Sequence, residues 1–244
     1  MSWIFVLSVG LIGGTLGGVV GFGTSILLLP PLVIVFGPYE AVPIMAVTAL
    51  LANVSRVMVW WREIDWKAGA VYSITAAPAA ALGAKTLLTL PANAIEITLG
   101  VFFLAMIPIR RALLHAGFKI KLWHLAVVGA GIGYLTGIVA STGPINTPFF
   151  LAYGLVKGPY LSTEAMGSIA VFLSKAITFY SLGALPWATL VKGLIVGSSV
   201  MLGSYLGKRI VQRLEIAQFQ LLMDAVLLVA GLAMLATASE LFLK

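Results

Sequence analysis

The sequence predicts an all-α polytopic membrane protein made of two inverted-topology repeats, each a broken helical hairpin plus three transmembrane helices. Three observations lead there. Of the 244 residues, 61% are apolar and 9% charged, with a mean hydropathy of +1.08, whereas a soluble domain carries roughly 25% charged residues. Apolar stretches near 71–90 and 221–238 approach the roughly 20 residues that a spanning helix needs and lack the alternation of barrel strands. A glycine-rich break then occurs twice, once per half, and a duplicated, interrupted membrane segment marks the binding site of many membrane carriers.

The elements follow in order. The first apolar run, 3–36, contains Gly13-Gly14-Thr15-Leu16-Gly17-Gly18-Val19-Val20-Gly21-Phe22-Gly23-Thr24-Ser25 and then Pro30-Pro31. Spans are expected near 40–61, 68–88 and 94–112, followed by a basic loop to about 121. The second half opens with 122–156, broken near 140–144 within Gly131-Ile132-Gly133-Tyr134-Leu135-Thr136-Gly137-Ile138-Val139-Ala140-Ser141-Thr142-Gly143-Pro144. Spans near 162–181, 187–207 and 215–239 complete it. Each broken run is followed by the same tripeptide, Gly37-Pro38-Tyr39 and Gly158-Pro159-Tyr160. The repeats are therefore drawn as 1–117 and 118–244.

Each broken run would make roughly 51 Å of helix at about 1.5 Å per residue, too long for one crossing and short for two. A hairpin that returns to its own side fits, because irregular backbone at membrane depth survives where protein or a water-filled cavity surrounds it. Each half then has three full crossings, and an odd number inverts the second half. Two full crossings in place of each hairpin keep the same parity, so charge does not separate these two models. One set of loop ends collects Arg62, Lys67, Arg110, Arg111, Lys119, Lys121, Lys157, Lys208, Arg209 and Arg213, ten of the fifteen basic residues. By the positive-inside rule those ends are cytoplasmic and both termini lie outside.

The same reading disposes of the net charge of +7: it belongs to short loops at a membrane rather than to a nucleic-acid surface. There is no cysteine, and His115 and His124 are two isolated imidazoles in a basic loop, so no metal site or other cofactor is expected. Met1-Ser2-Trp3 lacks a basic region ahead of its apolar run, which argues against a cleaved signal peptide.

Inverted hairpins enter from opposite faces and meet near the midplane. Their tips carry Gly21, Gly23, Thr24 and Ser25 on one side and Ser141, Thr142, Gly143, Asn146 and Thr147 on the other. Thr24 or Ser25 is expected to cap the returning half-helix, and Pro144 suits the first turn of its counterpart. Half-helix N-termini attract anions, and the hydroxyls and amide add neutral donors. The alternative is that the glycines only let helices pack closely in lipid; two breaks at matching places favour the anion site. Among charges inside spans, Lys175 is offered as a cation for the anion, with snorkelling equally open. Asn53, one turn before Arg56 and facing a similar direction, is offered as a cavity residue, Arg56 is read as snorkelling beside Trp60-Trp61, and Lys192 as peripheral. Glu40 and Glu164 are read as helix-start carboxylates, and Asp224 as structurally paired.

On the Gly-Gly-x-x-Gly-Gly-x-x-Gly-x-Gly run at 13–23, its weaker copy at 131–143, the central basic loop and the two-half length, the chain resembles the TauE/SafE sulfite exporter family, also called the 4-toluene sulfonate uptake permeases. The resemblance covers essentially the whole chain. It implies a multi-pass carrier of a small sulfur-containing oxyanion (sulfite, thiosulfate or an organosulfonate) in the cytoplasmic membrane of a prokaryote, with the lipid bilayer as its surroundings. The residues themselves point to alternating access, with a passive anion channel as the alternative. Uptake against a negative-inside potential would require a coupling proton or sodium ion, and a homodimer is left open. No enzyme is expected: there is no nucleophile–base pair, and the glycine runs lack the Gly-Lys-Ser/Thr of a phosphate-cradling loop.

Overall fold

The computed structural model describes residues 2–20, 23–139 and 142–211, with six scattered positions between 225 and 236. Gly21, Ser141 and Asp224 lie outside the described residues, as does most of the helix expected over 215–239. The described chain is all helix: α1 (Ser2–Val20), α2 (Thr24–Phe36), α3 (Pro38–Trp60), α4 (Trp66–Leu88), α5 (Ala92–His115), α6 (Leu122–Ile138), α7 (Gly143–Tyr153), α8 (Lys157–Ser181) and α9 (Trp187–Val211). A single 3-10 turn, Trp61–Glu63, joins α3 to α4. The breaks fall where glycine and proline chemistry put them. Gly23 holds φ 124°, a conformation that L side chains rarely adopt, and Pro144 sits in the first turn of α7.

Three helices, Pro38–Glu63, Asn93–Leu113 and Trp187–Ser204, are long and apolar enough to cross a membrane by length and composition. They and their neighbours expose large apolar side chains outward, among them Ile4, Ile74, Val127, Ile177 and Leu202. A monomer in water rarely presents so much apolar surface, and lipid is the solvent that accepts it. The protein is a multi-pass membrane protein.

Both broken segments fold back as hairpins. In the first, the Trp3 ring at the start of α1 meets Phe36 at the end of α2, centroids 5.4 Å apart, while Thr24 Oγ1 donates to Gly13 O at 3.0 Å. In the second, Phe118 lies 5.6 Å from Phe149, and the Ile120 N–H donates to Ala152 O at 3.2 Å.

The long helices pack in a row, α6 against α4, α4 against α8, α8 against α3, α3 against α9, and α9 against α1. Helices α3 and α8 run antiparallel. The Asp65 N–H, just past the end of α3, donates to Thr163 Oγ1 near the start of α8. Glu40 at the start of α3 accepts from Thr189 and Lys192 of α9, the helix that follows the end of α8. Lys192 is thereby half of an ion pair with Glu40 at 2.5 Å, not merely peripheral, and Glu40 stands in the first turn of α3 as expected while also serving as that partner.

Within lipid there is little hydrophobic gain in bringing two helices together, so close packing between small residues must hold them. That explains most of the glycines. Gly10, Gly14 and Gly18 of α1 lie against Ser199, Val200 and Ser204 of α9; Gly129, Gly133 and Gly137 of α6 lie against Tyr72, Ala76 and Ala80 of α4. The same spacing of four serves the two outermost contacts of the row. A separate pair, Gly13 and Gly17, faces Thr24 and lets α2 return along α1. The glycine-rich runs are thus divided between helix packing and the hairpin turn.

Two substitutions two residues apart, on opposite faces of α6, test this division. A Cβ on Gly133 would come within 2.7 Å of the Ala76 Cα, and backbone does not move aside cheaply. Gly133→Ala is therefore expected to lower stability by about 1–3 kcal/mol, the usual penalty of overpacking. Gly131 has no atom within 4 Å of its would-be Cβ, so Gly131→Ala should be neutral or stabilise by up to ~1 kcal/mol through helix propensity. Unfolding in detergent micelles reads both; equal losses would show that α4 and α6 do not depend on this contact.

Candidate functional site

The two tips and the central pair α3 and α8 enclose one polar cavity. Its wall includes Gly17, Thr24 and Ser25 from the first hairpin, Thr136, Thr142, Gly143 and Asn146 from the second, Asn53 and Arg56 from α3, and Glu164 and Ser168 from α8. Of the residues singled out in the sequence, Thr24, Ser25, Asn53, Thr142, Gly143 and Asn146 line this one space. Gly23 sets the turn just before Thr24. Thr147 and Lys175 do not line it, and Gly21 and Ser141 lie outside the described residues.

The positive charge of the cavity is Arg56, about one turn before the end of α3 and 5% exposed. It is not a snorkelling residue. Its Nη1 lies 2.8 Å from Glu164 Oε2, and Glu164 is 2% exposed. At that distance the two opposite charges are in direct contact as a buried ion pair. Its Nη2 donates to Asn53 Oδ1, and Asn53 is oriented by giving its own amide proton to Ala49 O at 2.7 Å. Glu164 in turn accepts at Oε1 from Ser168 Oγ (2.7 Å) and from Asn146 Nδ2 (3.2 Å). It ties α8 to α3 and to the second tip, and is a wall residue rather than a helix-start carboxylate.

The hydroxyls divide by where their single proton goes. Thr24 gives its proton to Gly13 O across the hairpin. Thr136 gives its proton to Ile132 O at 2.7 Å, so the bond between Thr136 and Thr142 has Thr142 as donor. Thr147 gives its proton to Gly143 O at 2.9 Å and accepts from the Tyr160 hydroxyl at 2.6 Å, which turns it toward α8. The tips are unequal. At α2 the first helical N–H groups precede Leu27, whose N–H makes the first bond back to Gly23 O. At α7 Pro144 has no N–H, and Ile145 and Asn146 both bond to Thr142 O. The first tip thus contributes backbone donors, the second mainly side chains. No side chain caps α2: Gly23 holds the N-cap position and Thr24 is the first helical residue.

Lys175 is fully buried, and its ammonium donates to Thr136 O (2.7 Å) and Val139 O (2.9 Å). Those carbonyls are at the broken end of α6, where a helix leaves acceptors without intrahelical partners and carries partial negative charge. Lys175 therefore clamps the break and reaches the cavity only through Thr136. One further buried acid escaped the sequence reading. Glu96 on α5 is 1% exposed, with an Oε2 that has no hydrogen-bond partner among the described residues. Its position near a predicted span end gave no signal.

Comparison with known proteins gives two matches. The family model described as Sulfite exporter TauE/SafE matches residues 6–234. A curated relative, the probable membrane transporter protein YunE of Bacillus subtilis (strain 168), is 23% identical over 115 residues. Those residues make up 43% of this chain and 42% of that protein, so the match spans less than half of the relative's length. No solved structure matches the chain.

Proposed function

This chain belongs to the TauE/SafE sulfite exporter family of membrane transporters, and from that premise we propose that it is a secondary carrier of a small sulfur-containing oxyanion. Sulfite, thiosulfate and organosulfonates are the candidate cargoes, and the cytoplasmic membrane of a prokaryote is its place. The carrying observation is Arg56, a buried guanidinium at the meeting point of two helical hairpins, amid hydroxyl and amide groups. A guanidinium presents a planar fork of donors that suits an oxyanion, and charged residues inside membrane segments mark substrate paths.

Alternating access between inverted halves is part of the same reading. Exchanging each helix for its counterpart in the other half (α1 for α6, α3 for α8, α4 for α9) turns the packed row into the same row read from the other end. The antiparallel α3 and α8 at its centre are counterparts, each carrying its Gly-Pro-Tyr at its start. Such a frame lets one half rock against the other around a fixed site.

The test is thermal stabilisation of purified protein by sulfite, thiosulfate, sulfate and methanesulfonate. An anion that binds only the folded state adds RT ln(1 + [L]/Kd), about 2.7 kcal/mol at a hundredfold excess over Kd. Selective stabilisation by a sulfur anion is expected, reduced about tenfold in affinity by Thr142→Val or Ser25→Ala, since each removes a donor worth roughly 1.4 kcal/mol to a charged ligand. No response to any of these anions in folded protein would overturn the cargo assignment. Sustained ionic currents in planar bilayers would replace the carrier with a channel.

A further inference from the structure

The anion site already contains a carboxylate. Glu164 occupies the donors that an incoming oxyanion requires: Arg56 Nη1 at 2.8 Å, Ser168 Oγ at 2.7 Å and Asn146 Nδ2 at 3.2 Å. All four residues line the cavity, and Arg56, Asn146 and Glu164 are each at least nine-tenths buried. We propose that Glu164 is the proton-coupling group of this carrier: the anion takes Arg56, and the displaced carboxylate takes up one proton. The inference rests on reading the cavity as the anion site.

The charge count of the cavity lining favours it, Lys175 being held outside that lining on the carbonyls of α6. Arg56 and Glu164 together are neutral, so a bound anion leaves the cavity with uncompensated negative charge in surroundings that solvate it poorly. Two like charges a few ångströms apart in such a place share a proton rather than both ionise. The groups around Glu164 leave it as the acceptor. From α3 it faces Arg56, the cation of the pair. From α4 and from its own helix it faces Tyr72 and Tyr160, close enough to feel its charge, and neither phenol supplies a basic group at neutral pH. From α7 comes Asn146 and from α6 Thr136, neither of which titrates. Glu63 lies at the start of α8 beside Gly158, and Lys175 is engaged on the carbonyls of α6.

The step balances simply. A solvent proton bonds to a carboxylate oxygen of Glu164, the Arg56–Glu164 ion pair opens, and an Arg56–anion pair replaces it. The protonated Glu164 becomes a donor and adds one hydrogen bond to the anion. One proton per singly charged anion makes the crossing electroneutral, which removes the opposition of a negative-inside potential to uptake.

Calorimetric titration of the wild-type protein with thiosulfate or methanesulfonate, neither of which titrates near neutral pH, tests this without any variant. Repeating the titration in buffers of different ionisation enthalpy counts the protons. Close to one proton taken up per anion is expected, with affinity falling about tenfold per pH unit once Glu164 must be protonated on binding. Glu164→Gln should bind the same anion with no proton uptake and no such slope, and more tightly than wild type above neutral pH. Anion binding without proton uptake in the wild type, or uptake that persists in Glu164→Gln, overturns the coupling role and leaves the anion site standing. Absence of anion binding in the wild type overturns the cargo assignment itself.

Discussion

Arg56→Met is expected to cost the folded protein about 3–5 kcal/mol and to abolish anion binding. The stability figure comes from Glu164, not from the lost arginine. Removing one partner of a buried ion pair strands the other charge where water cannot reach it, and Glu164 is 2% exposed with Arg56 as the only opposite charge at 2.8 Å among the described residues. Substituting both partners tests that cause. Arg56→Met combined with Glu164→Leu should recover most of the loss, because a pair replaced by apolar residues of similar volume is often neutral, and the non-additivity measures the coupling. Unfolding in detergent reads the stability and calorimetry the binding. A double variant that recovers stability but not affinity is the expected result. Retained anion affinity in Arg56→Met would remove the guanidinium from the site.

Lys175→Met comes next, with an expected loss of about 2–4 kcal/mol. Two charge-assisted hydrogen bonds disappear, each worth roughly 1.5–3 kcal/mol and not additive, and two buried carbonyls at the broken end of α6 lose their donor. Methionine keeps the length and the packing over Phe179, whose ring centroid is 5.6 Å from the ammonium, so the effect isolates the clamp. The comparison with a direct anion ligand is sharp. If Lys175 touched the cargo, its replacement would remove affinity and spare stability. The geometry predicts the opposite order: stability falls first, and affinity weakens only as Thr136 and Thr142 shift with the end of α6. Saturating anion should then restore part of the lost stability, since the site still forms.

How much of this was legible beforehand follows from the range of each interaction. The spans expected near 40–61, 68–88 and 187–207 correspond to α3, α4 and α9 within a few residues, because a helix in lipid is written as a local run of apolar residues closed by Gly, Pro or charge. The breaks were legible for the same reason: Gly23 and Pro144 act within their own turn of chain. The hydroxyls of the tips were legible too, since a break positions the residues that follow it. The glycine runs were less so. Their spacing announced close approach, yet whether Gly14 meets α9 or Gly17 meets α2 depends on which helix arrives.

The charges were the least legible. By itself the sequence determined a helical membrane protein with two broken segments, each with hydroxyls at its glycine-containing tip, because run length, glycine and proline act locally. Arg56 stood out in it as a charge inside a span and reads there as snorkelling, whereas Glu164 reads only as a helix-start carboxylate. Only the tertiary structure decided that they pair across α3 and α8, and that Lys175 holds a broken helix end rather than facing the cavity. The reason is physical: a buried charge must be compensated, but its compensation is set by which helices come to lie side by side, and that is a property of the packed row and not of any one segment.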